Sequence, residues 1–311
     1  MVRRRARSAG VIYVKVLCQK RWGTKRYMPD LGGFLSANGR KALFAARRLT
    51  RTPRAMPNFI VIGAQKSGTS SMFMYLKQHP QILRPIFKEI YFFDRHYDRG
   101  LPWYARNFPA RSTIERLNDR QGRAHLTFEA TATYIFDAQA PQRIARDIET
   151  RKFIALLRNP VDRVISAYWH ARRMGLETRS LDDAVKIDRD RYEAEKAFEE
   201  GRGPKPEGPA PRQTYLRRGI YHEAISRWQR PFSPENLLII QSERMFADPK
   251  AVMAQVLSFL DLPPVGGINY EPQNVGKYDD SDARARRFLT DFYRPHIAEL
   301  SRISGQAFTW Q

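Results

Sequence analysis

Residues 58–76 read N-F-I-V-I-G-A-Q-K-S-G-T-S-S-M-F-M-Y-L, and this stretch decides the fold. Residues 59–62 form a short, continuous apolar run, which predicts a strand buried on both faces. A glycine-bounded loop follows over residues 63–68, and a helical pattern runs from Thr69 to about Lys77. A strand, a glycine-rich loop and a helix N-terminus together predict an anion site, because unpaired first-turn amides and the helix dipole both attract negative charge.

The position of the lysine distinguishes this loop from the nucleotide-triphosphatase loop, G-x-x-x-x-G-K-[ST], in which lysine follows the second glycine. Gly63 and Gly68 keep the glycine spacing, but Thr69 stands at the lysine position and the lysine lies inside the loop as Lys66. A tight turn that carries polar residues without a ligand is the alternative interpretation. The strand–loop–helix context favours a phosphate site that needs no dedicated metal ion. The predicted phosphate ligands are Gln65, Lys66, Ser67, Gly68, Thr69 and Ser70.

A second strand-then-helix unit lies further along the chain. Lys152–Leu157 predicts a buried strand, and an asparagine and a proline then suit the first positions of a helix over residues 159–174. Arg158 stands at the start of that helix, and its planar fork of donors suits a dianionic phosphate. Ser166 and His170 lie one turn apart on one face. A lone helical histidine is more often a packing or surface residue than a catalyst.

Residues 124–128 are a further predicted strand, and the apolar run at residues 237–240 predicts another buried strand. Helical patterns separate all of these strands along the chain. Strands that alternate with helices favour a mostly parallel central sheet with helices on both faces. The sequence therefore predicts an α/β protein with a P-loop-like fold.

Both phosphate motifs resemble those of a known family. I-G-A-Q-K-S-G-T-S-S is similar to the 5′-phosphosulfate loop of sulfotransferases that use 3′-phosphoadenosine 5′-phosphosulfate (PAPS), and more narrowly to that of the heparan sulfate N- and 3-O-sulfotransferases. L-R-N-P-V-D-R-V-I-S-A-Y resembles their 3′-phosphate motif, in which the residues matching Arg158 and Ser166 hold the 3′-phosphate. The resemblance covers about residues 56–311. It also implies nucleotide contacts at Arg217, Gly219 and Lys277.

The segment K-E-I-Y-F-F-D, residues 88–94, places two charged residues before an aromatic run. From composition alone, Lys88 and Glu89 would be an exposed ion pair on a loop. The resembled family has a K-E-x-x-F-F motif here, whose glutamate, matching Glu89, is the catalytic base. A carboxylate among aromatic side chains is poorly solvated, which makes it a better proton acceptor. The N-sulfotransferases also have a functional histidine at the place of His170, so we expect Glu89, Lys66 and His170 to be the catalytic residues.

One position departs from the resembled family. Ala130 stands where the heparan sulfate enzymes usually have a lysine near the transferring sulfonate. The acceptor therefore stays open between an amine and a hydroxyl, and between a glycan and another small acceptor.

The positive charge of the chain is concentrated near its N-terminus. The formal net charge is +22 over 311 residues, and residues 1–54 hold fifteen Lys and Arg against one acidic residue, Asp30. A pI near 10.4 for the whole chain would otherwise indicate a nucleic-acid-binding protein. We expect a basic arm over residues 1–55 and a sulfotransferase domain over residues 56–311. Such an arm can contact an acidic glycan or an anionic membrane surface, and a solvated tail is the simpler interpretation.

Cysteine content and hydropathy bear on the compartment. Cys18 is the only cysteine, and the sequence has no run of 18 apolar residues. We expect a cytoplasmic protein without the membrane anchor of the animal family members. The predicted function is PAPS-dependent sulfonate transfer to a carbohydrate, with adenosine 3′,5′-bisphosphate as product, no metal ion and no nucleic-acid partner. A P-loop kinase that uses ATP and a basic nucleic-acid-binding protein are the alternatives.

Overall fold

The computed structural model describes residues 36–204, 206, 214–273 and 283–310. They belong to one compact unit that begins at Ser36. Residues 36–55, which the sequence analysis assigned to the basic arm, therefore lie in the same unit as the residues that follow. The compact unit thus begins twenty residues before residue 56, the predicted start of the second domain.

Side-chain contacts explain why this segment belongs to the folded unit. The ring of Phe44 packs edge-on against Trp103 and Phe87, with centroid distances of 5.6 and 5.7 Å. Arg47 donates from Nη1 to the backbone carbonyls of Arg106 and Phe108, at 2.7 and 2.8 Å. Aromatic and arginine side chains thus attach this stretch to the domain.

A five-stranded parallel sheet forms the centre of the unit, in the order β2-β3-β1-β4-β5. The strands are β1 (Phe59–Gly63), β2 (Ile82–Leu83), β3 (Leu126–Ala130), β4 (Lys152–Leu157) and β5 (Leu237–Gln241). Phe59 pairs with Phe128 on one side and with Lys152 on the other. The predicted parallel α/β architecture is confirmed. The short edge strand β2 was not predicted, because two residues are too few to show a pattern.

Helices flank the sheet and fill the connections between its strands. In chain order they are α1 (Ala37–Ala46), α2 (Thr69–Leu76), α3 (Phe92–Arg95), α4 (Leu101–Ala105), α5 (Arg111–Gln121), α6 (Ala140–Asp147), α7 (Pro160–Arg173), α8 (Leu181–Glu199), α9 (Tyr221–Gln229), α10 (Ser242–Ala247), α11 (Pro249–Phe259) and α12 (Ala283–Ser304). Short 3₁₀ turns occupy Arg47–Leu49, Tyr97–Arg99, Tyr134–Phe136, Arg217–Gly219 and Pro234–Asn236. Of the helices that the structure describes, none combines the length and the apolar character needed to cross a membrane.

The sheet separates two hydrophobic cores, and the alternation of side chains along β1 shows this division. Ile60 and Ile62 lie in the core that also contains Trp228. Phe59 and Val61 lie in the opposite core. Successive side chains of a strand point to opposite faces, so a strand covered on both faces must be apolar throughout. This requirement explains the continuous apolar run of residues 59–62.

The carboxyl ends of the parallel strands meet at one edge of the sheet. The loop after β1 and the start of α7 after β4 lie at this edge, together with the start of α10 after β5. Open α/β sheets bind their ligands outside the carboxyl ends of the strands. The two predicted phosphate motifs are therefore neighbours in the fold.

Candidate active site

A cleft of about 580 Å³ opens at this edge of the sheet. Nine of the residues that the sequence analysis selected line it: Gln65, Lys66, Gly68, Thr69, Ser70, Glu89, Arg158, Ser166 and His170. The other lining residues are Lys88, Ala132, Asp162, Ser242, Glu243, Phe246, Pro272 and Gln273. Three motifs that are distant in sequence thus share one space.

The loop after β1 has two residues in the left-handed backbone region. Lys66 has φ 73° and Gly68 has φ 87°, the latter immediately before α2. The positive φ of Gly68 favours glycine at this position, and a Cβ there would lie 2.5 Å from the terminal methyl group of Met245, which would have to move. Ser67 is buried, and its carbonyl accepts a hydrogen bond of 2.7 Å from the Ser242 hydroxyl. These contacts fix the loop so that the N-terminus of α2 faces the cleft.

Helix α7 provides the second wall. The Asn159 side chain caps it by accepting from the Val161 amide at 2.9 Å, which confirms the predicted helix start. The backbone amide of Asn159 donates to the Glu243 carboxylate at 2.8 Å, which joins this helix to α10. Arg158 is half-buried beside the cap, and Ser166 is buried two turns along the helix. An arginine and a hydroxyl therefore approach the cleft from one helix.

His170 lies one helical turn beyond Ser166 on α7 and is exposed. Desolvation lowers the pKa of His170, and the positive charges of Lys66 and Arg173 lower it further. The imidazole is therefore neutral at pH 7. A neutral imidazole can accept a proton or a hydrogen bond at one nitrogen while it donates at the other.

Glu89 lines the cleft from the segment between β2 and α3. Its Oε1 forms an ion pair with the Lys88 ammonium group, and its Oε2 accepts from the Ala132 amide at 3.0 Å. The Glu89 amide in turn donates to the Ala130 carbonyl at 2.8 Å. The residue has φ 59°, a conformation that a side chain with a Cβ adopts only at a cost of roughly 1–3 kcal/mol. The pairing with Lys88 that composition suggested is present, and it lies in the cleft.

The structure separates three predicted nucleotide ligands from the cleft and does not describe a fourth. Ser67 is fully buried and does not line the cleft. Arg217 forms ion pairs with Glu195 at 2.7 Å and Glu199 at 3.0 Å, and it does not line the cleft. Gly219 is buried, and a Cβ there would collide with the hydroxyl of Tyr293. Its role in the described structure is close packing. Lys277 lies outside the described residues.

Arg218, the neighbour of Arg217, contacts the loop of residues 63–68, called the phosphate loop after its predicted ligands. Its Nη1 donates to the Gln65 side-chain oxygen at 2.7 Å. Burial lowers the pKa of Arg218 to about 10, and the charges of Arg163 and Arg95 add to this effect. Arg217 and Arg218 are adjacent in the 3₁₀ turn Arg217–Gly219, and this turn directs their side chains to different partners. The sequence alone does not distinguish them.

Glu129, at the end of β3, was not selected from the sequence. Its carboxylate is fully buried and accepts hydrogen bonds from the hydroxyls of Tyr104, Thr131 and Tyr134. Burial raises the pKa of Glu129 to about 7. The available signal was an acidic residue in a strand that is buried at this point, where a charge has to be compensated.

Comparison with known proteins gives one consistent result. The sequence profile of the sulfotransferase domain matches residues 56–273. The bifunctional heparan sulfate N-deacetylase/N-sulfotransferase 4 of Mus musculus is 30% identical over 277 residues, which are 80% of this chain and 30% of that protein. Heparan sulfate glucosamine 3-O-sulfotransferase 6 of Homo sapiens is 30% identical over 287 residues, which are 83% of this chain and 74% of that protein.

Among solved structures, a sulfotransferase from Alicyclobacillus acidocaldarius superposes with a TM-score of 0.58 at 28% identity. The match covers 82% of this chain and 98% of that one. The bifunctional relatives are much longer, so this chain spans about 30% of their length. The similarity is therefore to one part of those proteins.

Proposed function

The chain belongs to the sulfotransferase domain family, and from this premise we propose that it transfers a sulfonate group from PAPS to an amine or hydroxyl of a carbohydrate acceptor. The observation that carries the proposal is the meeting of two phosphate motifs in one cleft, with the Glu89 carboxylate facing the same space. A donor with phosphates at both its 5′ and 3′ positions needs two separate anion sites. A carboxylate beside them can take a proton from the acceptor.

The donor side of the cleft has the residue types that PAPS requires. We assign the 5′-phosphosulfate to the loop amides, Lys66 and the hydroxyls of Thr69 and Ser70, all of which line the cleft. Lys66 supplies a full positive charge where negative charge grows on the departing phosphate. We assign the 3′-phosphate to Arg158 and Ser166, because a guanidinium and a hydroxyl together bind a dianion through several donors.

The acceptor side supplies the base. As the acceptor nitrogen or oxygen forms its bond to sulfur, the bond between sulfur and the 5′-phosphate oxygen breaks, and the phosphate leaves with the electron pair. The proton of the acceptor group goes to Glu89. The ion pair with Lys88 and the hydrogen bond from the Ala132 amide support this assignment, since they hold the carboxylate at a fixed position.

The neutral imidazole of His170 supports a secondary role near the sulfonate, where it can donate one hydrogen bond. The acceptor is proposed to be a carbohydrate because the relatives are named as heparan sulfate sulfotransferases. Neither the residues in the cleft nor the names of the relatives favour N- over O-sulfation, since both kinds of enzyme are matched. We propose further that the protein works in the cytoplasm, and that its basic N-terminal residues contact a polyanionic acceptor or an anionic membrane.

Two measurements test the proposed function. Adenosine 3′,5′-bisphosphate should raise the melting temperature without magnesium, and ATP with magnesium should raise it less, because a ligand that binds only the folded state stabilises it by mass action. Transfer of labelled sulfonate from PAPS to a panel of amino sugars and hydroxyl sugars then identifies the acceptor. Stronger stabilisation by ATP with magnesium would instead support a kinase.

A further inference from the structure

Glu129 is a buried carboxylate whose three hydrogen-bond donors are neutral hydroxyls. Tyr134 donates at 2.7 Å, Thr131 donates at 2.8 Å, and the Tyr104 hydroxyl is in close contact with the other carboxylate oxygen. The carboxylate has no exposed surface and lines no part of the cleft. A buried charge of this kind is costly, so its retention at this position calls for a function.

The Thr131 hydroxyl connects Glu129 to the segment that carries Glu89. It gives its hydrogen to Glu129 and accepts from the backbone amides of Ile90 at 3.0 Å and Tyr91 at 3.4 Å. A hydroxyl has one hydrogen and two lone pairs. Because the hydrogen points to Glu129, the lone pairs are left facing the two amides.

The Tyr134 hydroxyl repeats this arrangement at the next two residues. It donates to Glu129 and accepts from the amides of Phe92 at 2.8 Å and Phe93 at 3.2 Å. These amides belong to the first turn of α3, whose N–H groups have no partner within the helix. Four consecutive backbone amides after Glu89 are therefore held by two hydroxyls that Glu129 orients.

The segment needs such support because its backbone is strained. Glu89 has φ 59° and Tyr91 has φ 55°, both in the left-handed region that residues with a Cβ rarely adopt. Strained conformations persist only where the surroundings over-determine them. The Thr131 and Tyr134 hydroxyls provide that constraint by accepting from the amides of residues 90–93. The Ala130 carbonyl adds to it by accepting from the Glu89 amide.

We propose that Glu129 is the positioning residue for Glu89: its ionised carboxylate aligns the Thr131 and Tyr134 hydroxyls, and these hold the backbone that directs Glu89 into the cleft. The inference rests on the proposed function, in which Glu89 is the base. Glu129 itself touches neither donor nor acceptor.

The charge state of Glu129 gives the arrangement a pH dependence. Protonation turns one carboxyl oxygen into a donor and removes the charge from the other. The Thr131 and Tyr134 hydroxyls, which both donate to Oε1, then either turn away or are held by a weaker, neutral acceptor. The titratable groups that face Glu129 are Tyr104 from α4, Tyr134 from the 3₁₀ turn and Asp94 from α3. Burial raises the pKa of both tyrosines well above 10, so they stay neutral near pH 7. Burial also raises the pKa of Asp94, whose partner is the Thr133 hydroxyl at 2.5 Å.

The test compares Glu129→Gln with the wild-type protein. The amide keeps the size of the side chain, but it replaces one carboxylate oxygen with a donor and leaves the other as a neutral, weaker acceptor. We expect amide hydrogen exchange over residues 90–93 to accelerate about tenfold or more, as for the loss of a hydrogen bond to a charged group. Turnover should fall by roughly 10- to 100-fold through misplacement of Glu89, while affinity for adenosine 3′,5′-bisphosphate is unchanged. Wild-type turnover should decline as the pH falls through about 7, and the variant should lack this decline.

Glu177→Gln is the matched control, because Glu177 is another buried carboxylate with a tyrosine partner, Tyr215, at 3.1 Å. It should leave exchange at residues 90–93 and turnover unchanged. Should Glu129→Gln fail to fold, Tyr134→Phe removes one bridging hydroxyl and should accelerate exchange at residues 92 and 93 alone. The proposal is overturned if amide exchange keeps its wild-type rate at residues 90–93 in a folded Glu129→Gln, or at residues 92 and 93 in Tyr134→Phe. Hydrogen exchange needs no turnover, so a protein without sulfotransferase activity would refute the proposed function while exchange still decides the role of Glu129.

Discussion

Arg218 donates from Nη1 to the side-chain oxygen of Gln65 at 2.7 Å, although the two residues are 153 positions apart in sequence. Arginine can only donate, so the oxygen of the Gln65 carboxamide must face it. The amide nitrogen of Gln65 then points away from Arg218, on a residue that lines the cleft. Arg218 thereby fixes the orientation of the Gln65 carboxamide.

This relationship distinguishes the two adjacent arginines by experiment. We expect Arg218→Ala to weaken adenosine 3′,5′-bisphosphate binding by about 1.5–3 kcal/mol, the usual cost of losing a hydrogen bond to a charged group. Arg217→Ala is the matched control, since its side chain pairs with Glu195 and Glu199 away from the cleft. Calorimetry on both folded variants makes the comparison. Equal losses would mean that Arg217 reaches the nucleotide when it binds.

Much of the architecture was predictable because its signals are local. The apolar runs at β1, β4 and β5 needed only burial on both faces, and the start of α7 needed only an asparagine cap. The phosphate site after β1 was predicted from a glycine spacing and a lysine within nineteen contiguous residues. Signals of this kind lie in neighbouring residues and do not depend on tertiary contacts.

The remaining features depend on residues that only the fold brings together. The choice between Arg217 and Arg218 depends on the direction of a 3₁₀ turn relative to Gln65. The role of Glu129 depends on hydroxyls from two other elements and on amides about forty residues away. The attachment of α1 depends on Phe44 meeting Trp103. A sequence pattern does not record such contacts.

The raised pKa of Glu129 predicts how stability varies with pH. Its value in the folded protein is about 7, against an ordinary value of 4.5, so the folded state binds this proton more tightly than the unfolded chain. The resulting stabilisation is fully present below about pH 4.5 and is lost as the pH rises through 7. The difference corresponds to about 3 kcal/mol.

Urea denaturation at pH 5 and pH 8 measures this effect. The free energy of unfolding of Glu129→Gln should change less between these pH values than that of the wild type, because an amide does not titrate. Groups that titrate in both proteins cancel in the comparison. Identical pH dependence in the two proteins would show that Glu129 has an ordinary pKa. Turnover should follow the opposite trend, since the ionised form positions Glu89.

The position of the domain boundary gives a third prediction. Deleting residues 2–35 should leave the free energy of unfolding nearly unchanged, because the compact unit begins at Ser36. Deleting residues 2–50 should lower it by about 2–3 kcal/mol, through loss of the aromatic contacts of Phe44 and the two hydrogen bonds of Arg47.

Single substitutions test the effect of these contacts on stability without shortening the chain. Phe44→Ala should reproduce much of the larger loss, whereas Leu49→Ala should be neutral, because Leu49 is 87% exposed. Chemical denaturation of the four proteins gives the ranking. A deletion of residues 2–35 that destabilises as much as the longer deletion would move the boundary toward the N-terminus.

The last prediction concerns Glu89, whose carboxylate is held by Lys88 and the Ala132 amide. Glu89→Gln keeps an oxygen for the Ala132 amide but cannot accept a proton, so turnover should fall by about 10²–10⁴-fold. Bisphosphate affinity should be nearly unchanged, because this side chain is assigned to the acceptor. Lys66→Ala should reduce both turnover and affinity, since Lys66 belongs to the phosphate loop. Glu115→Gln, the same exchange on the exposed face of α5, is the control for the loss of a charge. Labelled sulfonate transfer and calorimetry on all three variants decide the assignment, and near-normal turnover in Glu89→Gln would transfer the role of base to His170.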